Sequence, residues 1–267
     1  MKTYFPEDRY DTPEDFPRAL GDKLLLGSRW WFYSQFARIV FRCRSYALKG
    51  IYDDPLWAET SMDVLRSIER SGGKFHLQGL DHLRNLKEPV VIIGNHMSTL
   101  ETVVLPGIVV PFVPVTFVVK DKLVRGPVFA PIMKSRDPIV VGRANPRQDL
   151  QAVFTKGTEM LAKGTSVIIF PQSTRRVDFK PEHFNKLGIK LARRAGVKTL
   201  PMALKTHFWG NGKRLKGFGP VDRSKPIHFA FGKPLTIHGN GAEEHREIVG
   251  FIQAHLRQWH GREWVEA

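Results

Sequence analysis

Short apolar runs alternate with amphipathic segments through most of the 267-residue chain. Several runs are rich in β-branched residues and bounded by proline or glycine, which predicts buried strands at 90–93, 115–119, 139–141 and 167–169. The periodicity between them predicts helices near 127–134, from Pro146 onward with Asn145 as N-cap, and over 243–259. This alternation predicts an α/β fold: a largely parallel central sheet flanked by helices, with functional groups at the carboxyl ends of strands.

An uncharged stretch over residues 102–119 is long enough to suggest a membrane-spanning helix. Pro106, Pro111 and Pro114 argue against one. Proline breaks interior helical hydrogen bonds and restricts the residue before it to extended geometry. We therefore expect a buried helix that ends near Val109, then a proline-rich turn, and then the strand at 115–119.

The N-terminal region differs in character from the rest of the chain. Residues 1–21 are polar, contain prolines and show neither the n-region nor the cleavage site of a signal peptide. Residues 22–49 are rich in aromatic residues and arginine, and their longest uncharged run, 30–37, is too short to cross a bilayer. Together with a second helix at 55–70, they predict an N-terminal amphipathic helical hairpin.

The helix predicted within 22–49 has an apolar side and a basic side, and two interpretations fit it. As an interfacial helix it would place its apolar groups in the acyl boundary of a membrane, while the arginines meet lipid phosphate. Alternatively, the apolar stripe packs on the rest of the protein. Both interpretations stay open, since a helix has two faces. The stripe comprises Leu25, Phe32, Phe36, Ile39 and Cys43, and the basic positions are Arg38, Arg42 and Lys49.

Charge adds a constraint on partners. Lys and Arg number 41 against 26 Asp and Glu, a formal net charge of +15. Such an excess indicates nucleic acid, an anionic membrane surface or an acidic carrier protein as partner. Known nucleic-acid-binding motifs are missing, and only the segment 208–218, with Trp209, Lys213, Arg214 and Lys216, mixes aromatic and basic residues. The single cysteine, Cys43, excludes an internal disulfide and a cysteine-based metal cluster.

Candidate chemistry appears directly after the first strand, where His96 and Glu101 stand five positions apart. A carboxylate in the first turn of the next helix can accept from one imidazole nitrogen, fix the tautomer and stabilise the imidazolium. The pair has no serine partner and the chain has no Gly-x-Ser-x-Gly elbow, so the nucleophile would be a substrate hydroxyl. The other histidines fit no metal spacing. Taken alone, such a pair also occurs as a purely structural contact.

A second block of residues narrows the interpretation. After the strand at 167–169 comes Phe-Pro-Gln-Ser-Thr-Arg-Arg, residues 170–176. Together with Asn95, His96 and Glu101, this resembles the glycerolipid acyltransferase family, which carries Asn-His-x4-Asp after one strand and Phe-Pro-Glu-Gly-Thr-Arg-Ser after a later one. Between these blocks a strand ends in Arg143, and an apolar strand with a central proline follows at 199–204. The four blocks stand in family order, between about residues 75 and 235.

The family includes the 1-acylglycerol-3-phosphate (lysophosphatidate) acyltransferases, and the resemblance implies roles for the matched residues. His96 would abstract the proton of the acceptor hydroxyl, oriented by Glu101. The acyl donor would be acyl-CoA or acyl-acyl carrier protein, with no further cofactor and no metal. Glu101 replaces the family aspartate, and Gln172-Ser173 replaces Glu-Gly, which leaves the acceptor less determined than the reaction. The implied substrate-binding residues are Arg143 and Arg175 for the acceptor phosphate, with Lys120, Gln172, Ser173 and Thr174.

The sequence thus predicts a tail and membrane-associating hairpin at 1–72 and an acyltransferase domain at 73–267. We expect a peripheral, monotopic protein on the cytoplasmic face of an anionic membrane, with a lysophospholipid and acyl-CoA or acyl carrier protein as partners and no nucleic acid. The product would be phosphatidate. The alternatives are another lipid acceptor (another lysophospholipid, a lyso-aminolipid or a lipid A-type molecule) or an inactive peripheral membrane or carrier-binding protein.

Overall fold

One twisted sheet organises the computed structural model, which describes residues 2–142, 144–172, 174–212 and 217–260. The strand order is β1-β2-β8-β7-β3-β6-β4-β5. Every pairing from β7 to β5 is parallel, and β7–β8 and β1–β2 are antiparallel, which confirms the predicted largely parallel sheet. The strands are β1 (Arg9–Asp11), β2 (Phe75–Gln78), β3 (Val91–Gly94), β4 (Val115–Lys120), β5 (Ile139–Val141), β6 (Ser166–Ile169), β7 (Thr199–Lys205) and β8 (Ile227–Phe231).

Helices cover both faces of this sheet, as the alternating pattern predicts. Helices α2, α3 and α5 share one hydrophobic cluster with one face, and α7, α8 and α9 share another cluster with the opposite face. The helices are α1 (Leu20–Leu24), α2 (Arg29–Leu48), α3 (Asp54–Arg70), α4 (Leu80–Arg84), α5 (Leu100–Val109), α6 (Phe129–Lys134), α7 (Pro146–Ala162), α8 (Leu187–Ala195) and α9 (Ala242–His260).

Strand β3 lies at the centre, where it determines the position of the functional site. Its four residues are buried, and it pairs in parallel with β6 on one side and β7 on the other. The carboxyl ends of these three strands therefore meet at one edge of the sheet. At this edge the side chains that follow Gly94, Ile169 and Lys205 come together.

Helix α5 extends from this edge and contains Pro106 in its interior. Proline removes one backbone donor and disturbs the turn before it. Ser61 of α3 compensates, because its Oγ accepts from Gly107 N at 2.7 Å and donates to a carbonyl of the disturbed turn, with Val103 O at 2.7 Å. The chain then follows the predicted course, with α5 ending at Val109 and β4 beginning at Val115.

The N-terminal region departs from the prediction of one helix within 22–49. The helix is broken between α1 and α2, where Leu26 and Gly27 adopt positive φ angles of 51° and 69°. A left-handed pair cannot continue a right-handed helix, so α2 begins anew after Ser28. The hairpin of α2 and α3 is present, although the division into domains at residue 72 stays a prediction: β1 from the tail pairs with β2.

The part of the predicted apolar stripe that lies on α2 packs on the protein itself, whereas Leu25, which precedes α2, is 49% exposed. Phe32, Phe36 and Cys43 are buried, and the rings of Phe32 and Phe36 contact Trp209 with centroids 4.8 and 5.0 Å apart. Arg42 forms an ion pair with Asp63 of α3. Lipid contact would therefore have to use other residues of this region. No helix in the described part of the chain is long and apolar enough to cross a bilayer.

Candidate active site

The predicted pair of His96 and Glu101 is present at the carboxyl edge of β3. His96 Nδ1 lies 2.8 Å from Glu101 Oε1. The carboxylate is fully buried, whereas the imidazole keeps 19% of its side-chain surface exposed. Within the described residues the other ring nitrogen, Nε2, makes no hydrogen bond. Since Nδ1 is engaged with the carboxylate, Nε2 is the nitrogen available to a molecule that approaches from solvent.

Glu101 is the centre of a hydrogen-bond network rather than a partner of His96 alone. Its Oε1 also accepts from the backbone N–H of Met97 at 2.6 Å and of Ser98 at 2.9 Å. Its Oε2 accepts from Thr206 Oγ1 at 2.6 Å and lies 2.9 Å from Ser98 Oγ. Burial alone would raise the pKa of this carboxyl, but the hydrogen bonds and charge of His96, with those of Thr206 and Ser98, lower it below its usual value. Glu101 is thus held as an anion.

The backbone of His96 is fixed from both sides. Gln172 Oε1 accepts from His96 N at 2.6 Å, and Arg176 N donates to His96 O at 2.8 Å. Asn95 extends the sheet beyond β3, since its side chain donates to Leu204 O and accepts from Leu204 N, both at 2.8 Å. The imidazole is therefore positioned by main-chain contacts that do not involve its Nε2.

Aromatic packing fixes the plane of the imidazole. The Phe170 ring stacks on His96 with centroids 4.5 Å apart and an angle of 14° between the planes. Phe117 of β4 stacks in turn on Phe170 at 6.5 Å. Because one face of the imidazole is covered, a substrate hydroxyl would approach in the plane of the ring, where the Nε2 lone pair points.

Arg175 is brought next to the pair. Its Nη1 donates to Thr99 Oγ1 in the turn between His96 and Glu101. The guanidinium is half-buried, and burial lowers its pKa while the charge of Glu101 opposes that change. A cation therefore lies close to the base without forming an ion pair with the carboxylate that orients it. Such a guanidinium can hold a phosphate through paired hydrogen bonds.

The other predicted site residues either have no described contact with the His96–Glu101 pair or fall outside the described part of the chain. Thr174 follows Gln172 in a tight turn, with Thr174 N donating to Gln172 O at 2.6 Å. Lys120 is exposed at the end of β4, which β6 separates from β3. Arg143 and Ser173 lie outside the described residues. Of the predicted set, the structure thus gathers His96, Glu101, Gln172 and Arg175 around one point.

Several residues of this site were not predicted from the sequence. Thr206, Ser98 and Asn95 hold the carboxylate and the turn that carries it. Asn211 Nδ2 donates to Met97 O at 2.8 Å from the following loop. Thr206 could have been found, because it directly follows β7, which pairs with β3 and ends at the same edge. Asn211 has no comparable signal, since its contact depends on the path of a loop.

The arrangement can perform proton transfer at a substrate hydroxyl. An oriented neutral imidazole beside a buried carboxylate acts as a general base and then as a general acid. The backbone N–H groups described around His96 already donate hydrogen bonds to the side-chain oxygens of Glu101 and Gln172. The side-chain Nε2 of Gln172 is buried and has no hydrogen-bond partner among the described residues, so it is a further donor beside the base.

Comparisons with known proteins agree with this geometry. A family model described as Acyltransferase matches residues 74–205. A 1-acyl-sn-glycerol-3-phosphate acyltransferase of Pseudomonas aeruginosa is 34% identical over 147 residues, which cover 55% of this chain and 54% of that protein. A chloroplastic enzyme of the same name from Arabidopsis thaliana is 28% identical over 171 residues, with 64% of this chain and 45% of that protein covered. The chain spans about half the length of the curated relatives it matches.

A solved structure shares the fold. The 1-acyl-sn-glycerophosphate acyltransferase PlsC from Thermotoga maritima superposes with a TM-score of 0.65 at 18% sequence identity, covering 90% of this chain and 96% of that one. The matched segment 74–205 contains the His96–Glu101 pair, Gln172 and Arg175, and its last residue ends β7. The family model and the curated relatives identify residues 74–205 as an acyltransferase domain, and the solved structure shows that the fold is shared.

Proposed function

We propose that this protein transfers a fatty acyl group from an acyl thioester to the free hydroxyl of a lysophospholipid, 1-acylglycerol 3-phosphate, to give phosphatidate. The observation that carries the proposal is the His96–Glu101 pair, in which a buried carboxylate contacts Nδ1 of a partly exposed imidazole and leaves Nε2 for a substrate. The half-buried Arg175 lies beside it. A base and a phosphate-binding cation at one point are what an acceptor with a hydroxyl and a phosphate requires.

The reaction follows from this geometry. His96 Nε2 takes the proton of the acceptor hydroxyl as the hydroxyl oxygen attacks the thioester carbonyl carbon. The C–S bond of the tetrahedral intermediate then breaks, and the imidazolium returns its proton to the departing thiolate. One ester and one thiol are formed, with no net change at His96. Throughout, Glu101 stabilises the positive charge on the ring and holds Nδ1 in place.

Two side chains are assigned to the acceptor. Arg175 binds the phosphate with the part of its guanidinium that does not contact Thr99. Gln172 uses Oε1 to hold His96 N and offers Nε2 to an oxygen of the acceptor. A buried donor without a partner costs about 1–3 kcal/mol, and a substrate oxygen would remove that cost in the complex.

The same donor supports a second candidate acceptor. Because Nε2 can only donate, a head group with an additional oxygen near the hydroxyl would fit Gln172 as well as lysophosphatidate does. Another lysophospholipid therefore remains the alternative substrate. An inactive binding protein is disfavoured because both members of the pair are in hydrogen-bond contact.

We assign the membrane-facing surface to α1 and the outer side of α2. Residues with large exposed apolar side chains cluster there, and basic residues stand between them. This composition suits the interface of an anionic, cytoplasmic leaflet, and the net charge of +15 suits both that leaflet and an acidic acyl carrier or CoA. The exposed apolar residues are Leu20, Leu24, Leu25, Leu26, Trp30, Phe41 and Leu48.

An assay of thiol release tests the proposal. Detergent-solubilised protein is given acyl-CoA or acyl-acyl carrier protein together with a panel of lysophospholipids, and the lipid products are identified by mass spectrometry. We expect thiol release that depends on lysophosphatidate and matches phosphatidate formation mole for mole. Acylation of monoacylglycerol as efficiently as of lysophosphatidate would contradict the phosphate-binding role of Arg175.

A further inference from the structure

A short segment beside the site, residues 217–219, is anchored to two different parts of the protein. Tyr33 of α2 donates from its hydroxyl to Gly219 O at 2.7 Å, and Trp209 Nε1 donates to Gly217 O at 3.1 Å. Trp209 is itself fully buried against α2. Asn211, from the same loop, holds Met97 O in the catalytic turn. The 217–219 segment is therefore fixed relative to α2 and to the turn that carries His96.

This segment lies next to the proposed phosphate-binding group. A Cβ atom placed on Gly217 would be 3.8 Å from Thr99 Oγ1, the atom that accepts from Arg175. The next residue, Phe218, is 52% exposed. Its ring packs on Tyr33 with centroids 5.2 Å apart. The residue that follows Gly217 therefore carries a solvent-exposed aromatic ring, and Gly217 itself lies beside the Thr99–Arg175 contact.

The exposed ring also continues the apolar surface of the N-terminal helices. Trp30 precedes Tyr33 by one helical turn and is 65% exposed. The exposed leucines of α1 precede Trp30 in the chain. Phe218 therefore lies between the proposed membrane-facing surface and the cation at the site, on the side of the site that faces α2.

We propose that Phe218, supported by Tyr33, is a subsite for the acyl chain that the acceptor already carries. The inference rests on the proposed function. A lysophospholipid whose hydroxyl reaches His96 and whose phosphate reaches Arg175 must direct its chain away from these polar groups. Phe218 is an exposed apolar side chain that directly follows Gly217, whose backbone lies beside Thr99, and its face can bury part of the chain as the lipid leaves the bilayer.

Kinetics with acceptors of graded chain length test the subsite. Phe218→Ala, Phe218→Leu and the wild type are compared with long-chain and short-chain lysophosphatidate at saturating acyl donor. Loss of the ring should raise KM for the long-chain acceptor by about tenfold, leave kcat and the short-chain KM unchanged, and be largely reversed in Phe218→Leu. Phe129→Ala, which removes another partly exposed phenyl ring on α6, is the matched control and should match the wild type.

Each other result contradicts the subsite. An equal rise of KM for both acceptors, a dependence on donor chain length instead, or a wild-type KM in Phe218→Ala would overturn it. A fall in kcat together with a lower melting temperature would show that the ring is structural, which also overturns it. Wild-type protein that acylates no lysophospholipid would instead refute the proposed function on which the subsite rests.

Discussion

At the scale of single residues, Glu101 has to meet two requirements that conflict with each other. The proposed reaction requires a carboxylate that faces the imidazole, and burial of that carboxylate is costly unless its oxygens accept hydrogen bonds. The donors of Met97, Ser98 and Thr206 meet this requirement. The same contacts lock the turn that carries His96, so orientation of the base and stability of the turn depend on one group.

Glu101→Gln separates these requirements. The amide keeps the shape and can still accept at one atom, whereas the charge that stabilises the imidazolium is lost. We expect kcat to fall by about 10²-fold or more, with KM for the acceptor nearly unchanged and a lower melting temperature that still shows one cooperative unfolding transition. Steady-state kinetics and thermal unfolding measure both. A variant with wild-type kcat would show that His96 needs no charged partner.

The pKa of Glu101 gives a prediction for acid. A carboxyl whose pKa is lowered by folding contributes stability above its unfolded pKa of about 4.5, and this contribution is lost as pH falls through the lower folded value. We therefore expect Glu101→Gln to lose less stability than the wild type when pH is lowered below about 4.5. Denaturant unfolding of both proteins across this range checks the sign, and parallel curves would contradict it.

Gln172→Glu tests the donor beside the base. The substitution keeps an acceptor for His96 N but replaces the free Nε2 donor with an anionic oxygen. The variant loses the hydrogen bond that Nε2 offers to the acceptor, so KM for the acceptor should rise by about threefold to tenfold while kcat changes less. Gln172→Ala, which also removes the contact to His96 N, should lower kcat. Unchanged kinetics in Gln172→Glu would exclude a contact between Nε2 and the acceptor.

Residue patterns predicted part of this site. His96, Glu101 and Arg175 stand in local motifs that follow strands, and strand ends are readable from the apolar runs. The roles of Thr206 and Asn95 were not predicted, because they arise from the pairing of β3 with β7, more than a hundred residues apart in sequence. Asn95 stands in the matched Asn-His motif and Thr206 directly follows β7, but the partners of their side chains are set by tertiary structure.

At the scale of elements, α2 shows why amphipathic periodicity alone was ambiguous. Its apolar stripe is buried against Trp209, and its outer side still exposes large apolar residues such as Trp30 and Phe41. A helix with apolar groups on both sides can contact the protein and a membrane at once. The break at Gly27 was also missed, since a positive φ at glycine is compatible with many sequences around it.

Paired substitutions in α2 separate its two surfaces. Trp30→Glu with Phe41→Glu should weaken flotation with anionic vesicles, because charge is placed where acyl chains are contacted, and should leave the melting temperature nearly unchanged. Phe36→Ala, on the buried stripe, should destabilise the protein by about 3–5 kcal/mol without a direct effect on vesicle binding. Flotation that is insensitive to the double substitution would refute the membrane-facing assignment.

At the scale of the whole molecule, we expect a cluster of buried histidines to make the free energy of unfolding depend on pH. Burial lowers the pKa of His207 to about 4, with the charge of Lys225 adding to the effect. Burial lowers that of His228 to about 3, with His76 adding to it. In the unfolded chain both titrate near 6.5, so between pH 6.5 and about 4 the unfolded state binds more protons. Stability therefore rises with pH through this window.

His228→Phe isolates one member of the cluster. The ring of His228 stacks on Trp259 with centroids 4.8 Å apart, and phenylalanine can keep that stack without binding a proton. We expect the wild type to lose stability between about pH 7 and about pH 5, and His228→Phe to lose less. Urea unfolding midpoints at the two values measure the difference. An equally steep loss in both proteins would show that His228 does not carry the dependence.

The role of the His96–Glu101 pair in acyl transfer is tested most directly by one comparison: the rate at which wild-type protein and His96→Ala convert acyl thioester and lysophosphatidate to phosphatidate and free thiol. Thermal unfolding confirms that both are folded. We predict that wild-type protein forms the two products in equal amounts and that His96→Ala is slower by about 10²–10⁴-fold. A folded His96→Ala protein that works at nearly the wild-type rate would contradict this role.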